Sequence, residues 1–300
     1  MKKSALLIAF LVIATSAVMA SRPDSGKIYR KRKQLLLAGG ITAYAGSMTF
    51  LYHSWYKNYD QSSFHFINDT HEWMLMDKAG HTLTAYYLSN YSFHAYRWAG
   101  YEKNRAVWMA GATGFMYQTV IEVLDGFSAK WGASYGDLAA NTLGCLLFAS
   151  QQNGWQEQRI LPKYSYHNTK FPDYRPDLLG NTLAKNLLKD YNAHTYWLSF
   201  NIRSLFPDSR SPSWLNVAVG YNGYGMTGGE KNASSYNGKP IPEFTRTARF
   251  FLAPDVDFGR IETDSRFLNF LLKGLRFLKA PSPALEYDFS KGLRVKLLYF

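Results

Sequence analysis

The spacing of hydrophobic residues changes near Gly154, and this change constrains the fold more than any other feature of the chain. Before it, long segments carry apolar residues at the period of a helix. After it, apolar and polar residues alternate, as in residues 215–221 and 293–299, which is the period of a strand. The two halves predict an α+β protein, in which a four-helix, glycine-rich, membrane-associated module precedes a small antiparallel β-sheet tail.

The helices are predicted over residues 35–52, 73–98, 104–124 and 134–152. The first of these segments carries no charge, and its length is at the lower bound for crossing a bilayer. Its small residues, among them Gly39, Gly40 and Gly46, permit close helix packing in lipid or in a tight bundle. The sequence therefore leaves a membrane span and a buried helix as open alternatives.

The N-terminus predicts export. Lys2 and Lys3 precede an apolar run, and Val18-Met19-Ala20 has the small-x-small form of a signal-peptidase site. Residues 1–20 are thus a predicted signal peptide. No cysteine stands directly after this leader, because the only cysteine of the chain is Cys145. We therefore predict an envelope protein that is not a lipoprotein. Its expected place is the periplasm or the outer membrane surface.

Composition divides the mature chain into four predicted regions. A basic linker, residues 21–34, precedes the helical module at residues 35–153. Residues 154–190 contain several prolines and are predicted to be a linker with one short helix. The strand-rich region follows at residues 191–300.

The net charge of +12 favours anionic partners. Membrane lipid or other cell-envelope components are the expected partners, because export separates the chain from nucleic acid and no nucleic-acid motif is present. The sequence gives no indication of an oligomeric state.

Three segments place ionisable residues within otherwise apolar helices. Charges on such helices are costly to bury, so they usually converge on each other, on water or on a ligand. Residues four apart, such as Asp77 and His81, share one helix face. The ligand-binding candidates are Asp77, Lys78, His81, Glu122, Asp125, Ser134, Asp137 and Asn141.

Several roles are open for these residues. Asp77, His81, Glu122 and Asp137 have the ligand types for a divalent metal, which is the one cofactor that the sequence suggests. A zinc site usually draws on more than one histidine or cysteine. The alternatives are a buried network, in which Lys78 or His81 neutralises the carboxylates, and a site for a polar headgroup.

The order of the three motifs resembles that of a known family. The motifs are D-K-x-G-H at Asp77, E-x-x-D-G-F at Glu122 and S-x-G-D-L-x-A-N-x-x-G at Ser134. Over residues 73–144 they resemble the YfiM-like family, predicted periplasmic or lipoprotein-type proteins of unknown function. They are also distantly similar to VanZ-like membrane proteins, although Asp125 stands where that pattern has Gln. The lipid-attachment cysteine of the family is missing here. The resemblance implies a shared site at the motif residues without naming a reaction.

The leading expectation is a non-enzymatic envelope protein that serves envelope integrity or binds a polar headgroup through the Asp/His/Glu cluster. One alternative is a metal-dependent hydrolase or transferase acting on lipid or cell-wall precursors. Another is an outer-membrane-associated structural protein in which the strand-rich region performs the function.

Overall fold

The computed structural model describes residues 26–57 and 59–300. The chain divides into two compact units. The first contains the described residues up to Asn68 together with His81–Gln158, and the second contains Asp69–Gly80 and Arg159–Phe300. The predicted signal peptide, residues 1–20, lies outside the described residues.

Long helices dominate the first unit. They are α1 (Gly26–Leu51), α2 (Met76–Trp98, which enters this unit at His81), α3 (Lys103–Gly126) and α4 (Tyr135–Gly154). A π-helical turn, Tyr52–Tyr56, follows α1, and the short strands β1 (Phe66–Ile67) and β2 (Ala133–Ser134) pair in parallel. The prediction of a mixed helix-and-sheet protein is confirmed. That these helices form a membrane-associated module stays a prediction.

One helix of the described chain is long and apolar enough to cross a membrane, by its length and composition. It covers Ile28–Leu51, and none of its apolar window is buried. Leu37 and Ile41 are 66% and 61% exposed. The alternative of a buried helix is therefore wrong, and a membrane span stays a prediction.

Helix α2 begins three residues later than its sequence predicts. Trp73, Met74 and Leu75 have positive φ angles of 49°, 52° and 64°, which side chains with a Cβ rarely adopt. The backbone N–H of Trp73 donates to the carbonyl of Gly229 at 2.9 Å. The Tyr221 hydroxyl donates to the carbonyl of Met74 at 2.6 Å. These tertiary bonds hold a conformation that local helix propensity would not select.

The second unit is built on one six-stranded sheet with the order β10-β9-β8-β5-β4-β3, and all neighbouring strands are antiparallel. The strands are β3 (Ile160–Tyr166), β4 (His194–Asn201), β5 (Leu215–Tyr224), β8 (Thr247–Val256), β9 (Ser282–Asp288) and β10 (Gly292–Tyr299). The predicted small antiparallel sheet is thus confirmed.

Short elements connect these strands. They are the helices α5 (Phe171–Tyr174), α6 (Pro176–Leu179), α7 (Leu183–Lys189), α8 (Ile202–Leu205) and α9 (Arg266–Gly274), the hairpin strands β6 (Ser235–Tyr236) and β7 (Lys239–Pro240), and the 3₁₀ turns Glu72–Leu75, Tyr191–Ala193, Phe258–Arg260 and Leu275–Phe277.

Strand β3 lies inside the stretch predicted to be a linker. Pro162 and Lys163 argue against a strand when the sequence is considered locally. In the structure Lys163 is fully buried, and its ammonium lies 2.7 Å from Asp255 on β8. The partner that makes this strand possible is distant in the chain, so no local pattern indicates it.

Candidate functional site

Close packing of α2, α3 and α4 brings their polar residues together. A Cβ atom on Gly144 would clash with the carbonyl oxygen of Thr82, and one on Gly114 would lie 2.8 Å from the carbonyl oxygen of Ala85. The Thr82 hydroxyl donates to the carbonyl of Ala140 at 3.1 Å. These contacts require glycine at the two positions, because any side chain would separate the helices.

His81 on α2 lies at the centre of the cluster that results. Its Nδ1 is 3.0 Å from Asn141 Oδ1, which also accepts a hydrogen bond from Gln118 Nε2 at 3.3 Å. Asp137 Oδ1 is 3.7 Å from His81 Nε2, and Glu122 Oε1 is 3.8 Å from Nδ1. We call His81, Gln118, Glu122, Asp137 and Asn141 the His81 cluster.

Ser134 holds the Glu122 carboxylate and caps the helix that carries Asp137. Its backbone N–H donates to Glu122 Oε2 at 3.0 Å, and its hydroxyl accepts from the backbone N–H of Asp137 at 3.1 Å. The second bond is the N-cap of α4 that the sequence predicts. Asp137 also lies in the first turn, where the helix dipole favours a negative charge.

Two buried carboxylates of the cluster flank the His81 ring. Glu122 and Asp137 are 2% and 5% exposed, and the His81 side chain is 15% exposed. When Nδ1 donates its proton to Asn141, the lone pair of a neutral ring faces the Asp137 carboxylate. That arrangement is repulsive unless a proton or a metal cation lies between the two atoms.

Two amide atoms of the cluster are buried without a hydrogen-bond partner among the described residues. They are Gln118 Oε1 and Asn141 Nδ2, on side chains that are 3% and 0% exposed. Such atoms are rare in folded proteins and usually indicate an additional polar group, such as bound water or an ion.

Gln118 was absent from the candidates predicted by the sequence. The sequence nevertheless indicates Gln118, because it lies in the uncharged stretch of residues 106–121 and precedes Glu122 by four residues, so the two side chains share one helix face. The Gln118 amide donates a hydrogen bond to Asn141 Oδ1, the same oxygen that lies beside His81 Nδ1.

The remaining predicted residues have partners of their own. In the second unit, Tyr191 donates to Asp77 Oδ1 at 2.5 Å, while the Lys78 ammonium lies 2.7 Å from Asp69 and 3.3 Å from Asp77. Asp77 stands one helical turn before His81 in α2.

Asp125 lies at the end of α3 and accepts a hydrogen bond from the Tyr56 hydroxyl at 2.8 Å. Burial, together with the charge of Asp125, raises the pKa of Tyr56 above its ordinary value. Tyr56 therefore stays a neutral hydrogen-bond donor. The Asp125 carboxylate is thus engaged outside the contacts of the His81 ring.

Comparison with known proteins places this cluster inside a recognised segment. Residues 64–151 match the model of a family described as predicted periplasmic lipoprotein (DUF2279). No curated protein and no solved structure matches the chain. The matched segment contains the whole His81 cluster. The match does not name the YfiM-like or VanZ-like relationships, which stay resemblances.

The family description corrects one prediction. The statement that the chain is not a lipoprotein is wrong, because the matching family is described as a periplasmic lipoprotein. That inference depended on the absence of one cysteine beside the leader, whereas the match extends over residues 64–151. Periplasmic placement agrees with the predicted export, and the matched segment is similar to the predicted periplasmic lipoproteins of unknown function.

Proposed function

We propose that the chain is an exported envelope protein whose first unit binds a divalent metal cation between His81 and Asp137. One observation carries the proposal: His81 Nε2 and Asp137 Oδ1 face each other at 3.7 Å. A cation with bonds of about 2.0–2.2 Å to nitrogen and oxygen fits between ligand atoms at this separation. One imidazole and one carboxylate favour zinc or manganese over calcium or magnesium.

The surroundings of His81 support this role. A histidine that binds a metal through one nitrogen usually donates the proton on the other to a fixed acceptor. Asn141 is positioned to accept that proton, and Gln118 holds the same Asn141 oxygen. The second, partnerless atom of each amide is available to a water bound to the cation.

Burial supports an ion over the other roles expected of this cluster. The side chains of Glu122, Asp137 and His81 are 3%, 7% and 15% exposed, and Gln118 and Asn141 are buried. A polar headgroup or a cell-wall precursor would need a wider opening than an ion. The geometry therefore supports an ion that links α2 and α4 more than a headgroup site or a hydrolytic centre.

Isothermal titration of Zn²⁺ and Mn²⁺ into the chelator-treated full chain tests the proposal. We expect saturable binding of one ion, and at least tenfold weaker binding by His81→Gln and Asp137→Asn, since each removes one ligand. Asp125→Asn is the matched control, because it makes the same carboxylate-to-amide change outside the contacts of the ring. No binding to the unaltered chain, or equal binding by all three variants, would refute the cation site.

A further inference from the structure

One face of the sheet in the second unit exposes apolar side chains, while the other buries charged groups beside a small apolar core that includes Trp197 and Phe251. In one row across neighbouring strands, Leu198 pairs with Val219, Val219 with Leu252, Leu252 with Leu285, and Leu285 with Val295. These five side chains are between 43% and 67% exposed. We call the side of the sheet that carries this row the outer face.

A second row on the outer face is mainly aromatic. Tyr196 pairs with Tyr221, Tyr221 with Phe250, and Phe250 with Tyr287, so the row runs beside the aliphatic one along four strands. Tyr196 and Tyr221 are only partly exposed, and the Tyr221 hydroxyl is bonded to the Met74 carbonyl, so the exposed rings of this row are those of Phe250 and Tyr287. Phe250 and Tyr287 are 43% and 48% exposed. Tyrosine is enriched where apolar and aqueous surroundings meet, because its ring is apolar and its hydroxyl is polar.

The opposite side of the sheet holds charges instead. The Lys163 ammonium lies 2.7 Å from Asp255, and both side chains are 0% exposed. The Arg249 guanidinium lies 3.0 Å from the fully buried side chain of Asp288. A sheet with one face in water normally has the reverse pattern, with apolar residues inside and polar residues outside.

Helix α9 adds a second apolar surface to the same unit. Phe267 and Leu268 are 69% and 42% exposed, while Arg266 and Lys273 on the same short helix are also exposed. Exposed aromatic and aliphatic side chains combined with cationic ones are typical of helices that lie at an anionic lipid surface.

We propose that the outer face contacts the hydrocarbon of a lipid bilayer, with the exposed rings of Phe250 and Tyr287 at its boundary with the headgroups. The two rows contain no charged or amide side chain. A protein partner would normally find a hydrogen bond for about every 100–200 Å² of interface. Hydrocarbon needs none, so lipid fits this face better than a second protein.

The edge of the sheet limits how deeply it enters the bilayer. Strand β10 ends the sheet, and no described strand pairs with its outer side. Unpaired backbone groups are too costly to place in hydrocarbon. The sheet therefore rests on the bilayer surface, with the outer face inserted and the open edge in contact with water or headgroups.

Fluorescent labelling at single positions of the full chain tests this contact. Leu285→Cys places an environment-sensitive label on the outer face, and Ser235→Cys places one on the exposed hairpin strand β6 as the matched control. The native Cys145 is buried, so the unaltered chain serves as the blank. The probe is a vesicle of phosphatidylethanolamine and phosphatidylglycerol, with and without nitroxide-bearing lipid.

With vesicles, the label at residue 285 is expected to shift its emission to shorter wavelength. Its quenching by the nitroxide should be several-fold stronger than that of the label at residue 235. Equal, water-like emission from both labels would overturn the proposal. It would also be overturned if the label at residue 285 became shielded without vesicles as protein concentration rises, because a second copy of the chain would then cover the face. Neither result depends on cation binding at His81.

Discussion

Asn141 determines which nitrogen of His81 faces Asp137. Its Oδ1 lies 3.0 Å from His81 Nδ1 and accepts from Gln118, so the ring is fixed with Nε2 toward the carboxylate. Groups that orient a ligating histidine affect metal affinity without touching the metal. The proposed cation site therefore depends on an amide that is itself no ligand.

Replacement of Asn141 by Ala should weaken Zn²⁺ binding about 10–100-fold, the usual effect of removing such an orienting group. Titration calorimetry measures this directly. Thr142→Ala is the control, because the Thr142 hydroxyl is bonded only to the carbonyl of Leu138 and is exposed. Unchanged affinity in Asn141→Ala would mean that the ring needs no such support, and the orientation argument would fail.

Two buried histidines of the second unit predict a dependence of stability on pH. Burial lowers the pKa of His194 and that of His167 to about 4, the latter with help from the charges of Arg249 and Lys296. Unfolded histidines titrate near about 6.5. Between these values the unfolded chain binds more protons than the folded one, so the free energy of unfolding falls as pH falls.

Urea unfolding monitored at about pH 7 and about pH 5 checks this dependence, since these values lie above the unfolded pKa and between the two pKa values. The free energy of unfolding should be lower at the acidic pH. His194→Asn should show a smaller difference between the two conditions. Equal stability at both values in the unaltered chain would show that these imidazoles are not buried in the neutral form.

At the level of the helices, two glycines differ in whether a side chain could replace their hydrogen. A Cβ atom on Gly144 would meet the backbone of α2, whereas one on Gly111 of α3 would have no neighbour within 4 Å. Gly144→Ala should therefore destabilise the chain, because the backbones must separate. Gly111→Ala should stabilise it by up to about 1 kcal/mol through helix propensity. Chemical denaturation of both variants gives the comparison, and similar shifts in both would refute the close approach of α2 and α4.

The sequence predicts these helices better than it predicts their surroundings. Ser134 as the N-cap of α4 follows from local chemistry and is found in the structure. The contacts among His81, Glu122 and Asp137 follow from the cost of isolated charges on apolar helices. Strand β3 and the late start of α2 could not be predicted, because each depends on a partner far away in the chain, Asp255 in one case and Gly229 in the other.

For the whole molecule, the alternating pattern of the strands does not predict which face of the sheet carries its apolar side chains to the surface. Alternation predicts that a strand has two faces, but it does not say which face is exposed. Leu252 and Leu285 are exposed while their neighbours Phe251 and Glu286 are buried. The buried face holds ion pairs between residues that are distant in the chain, such as Lys163 and Asp255, and the proposed contact with lipid concerns the opposite face.

A bound cation should also stabilise the whole chain. A ligand at a concentration of about 100 times its dissociation constant adds about 2.7 kcal/mol when it binds only the folded state. Thermal unfolding with and without a chelator should show a lower midpoint after chelation. The His81→Gln variant should show no such change, and a chelator effect of equal size in that variant would place the ion elsewhere.

Metal analysis of the full chain purified from the cell envelope tests the central claim most directly. The cation site predicts about one zinc or manganese ion per chain, bound between His81 and Asp137. It further predicts loss of that ion in His81→Gln and Asp137→Asn, and its retention in Asp125→Asn. A metal-free chain that does not take up either ion, or a metal content that His81→Gln leaves unchanged, would contradict the account.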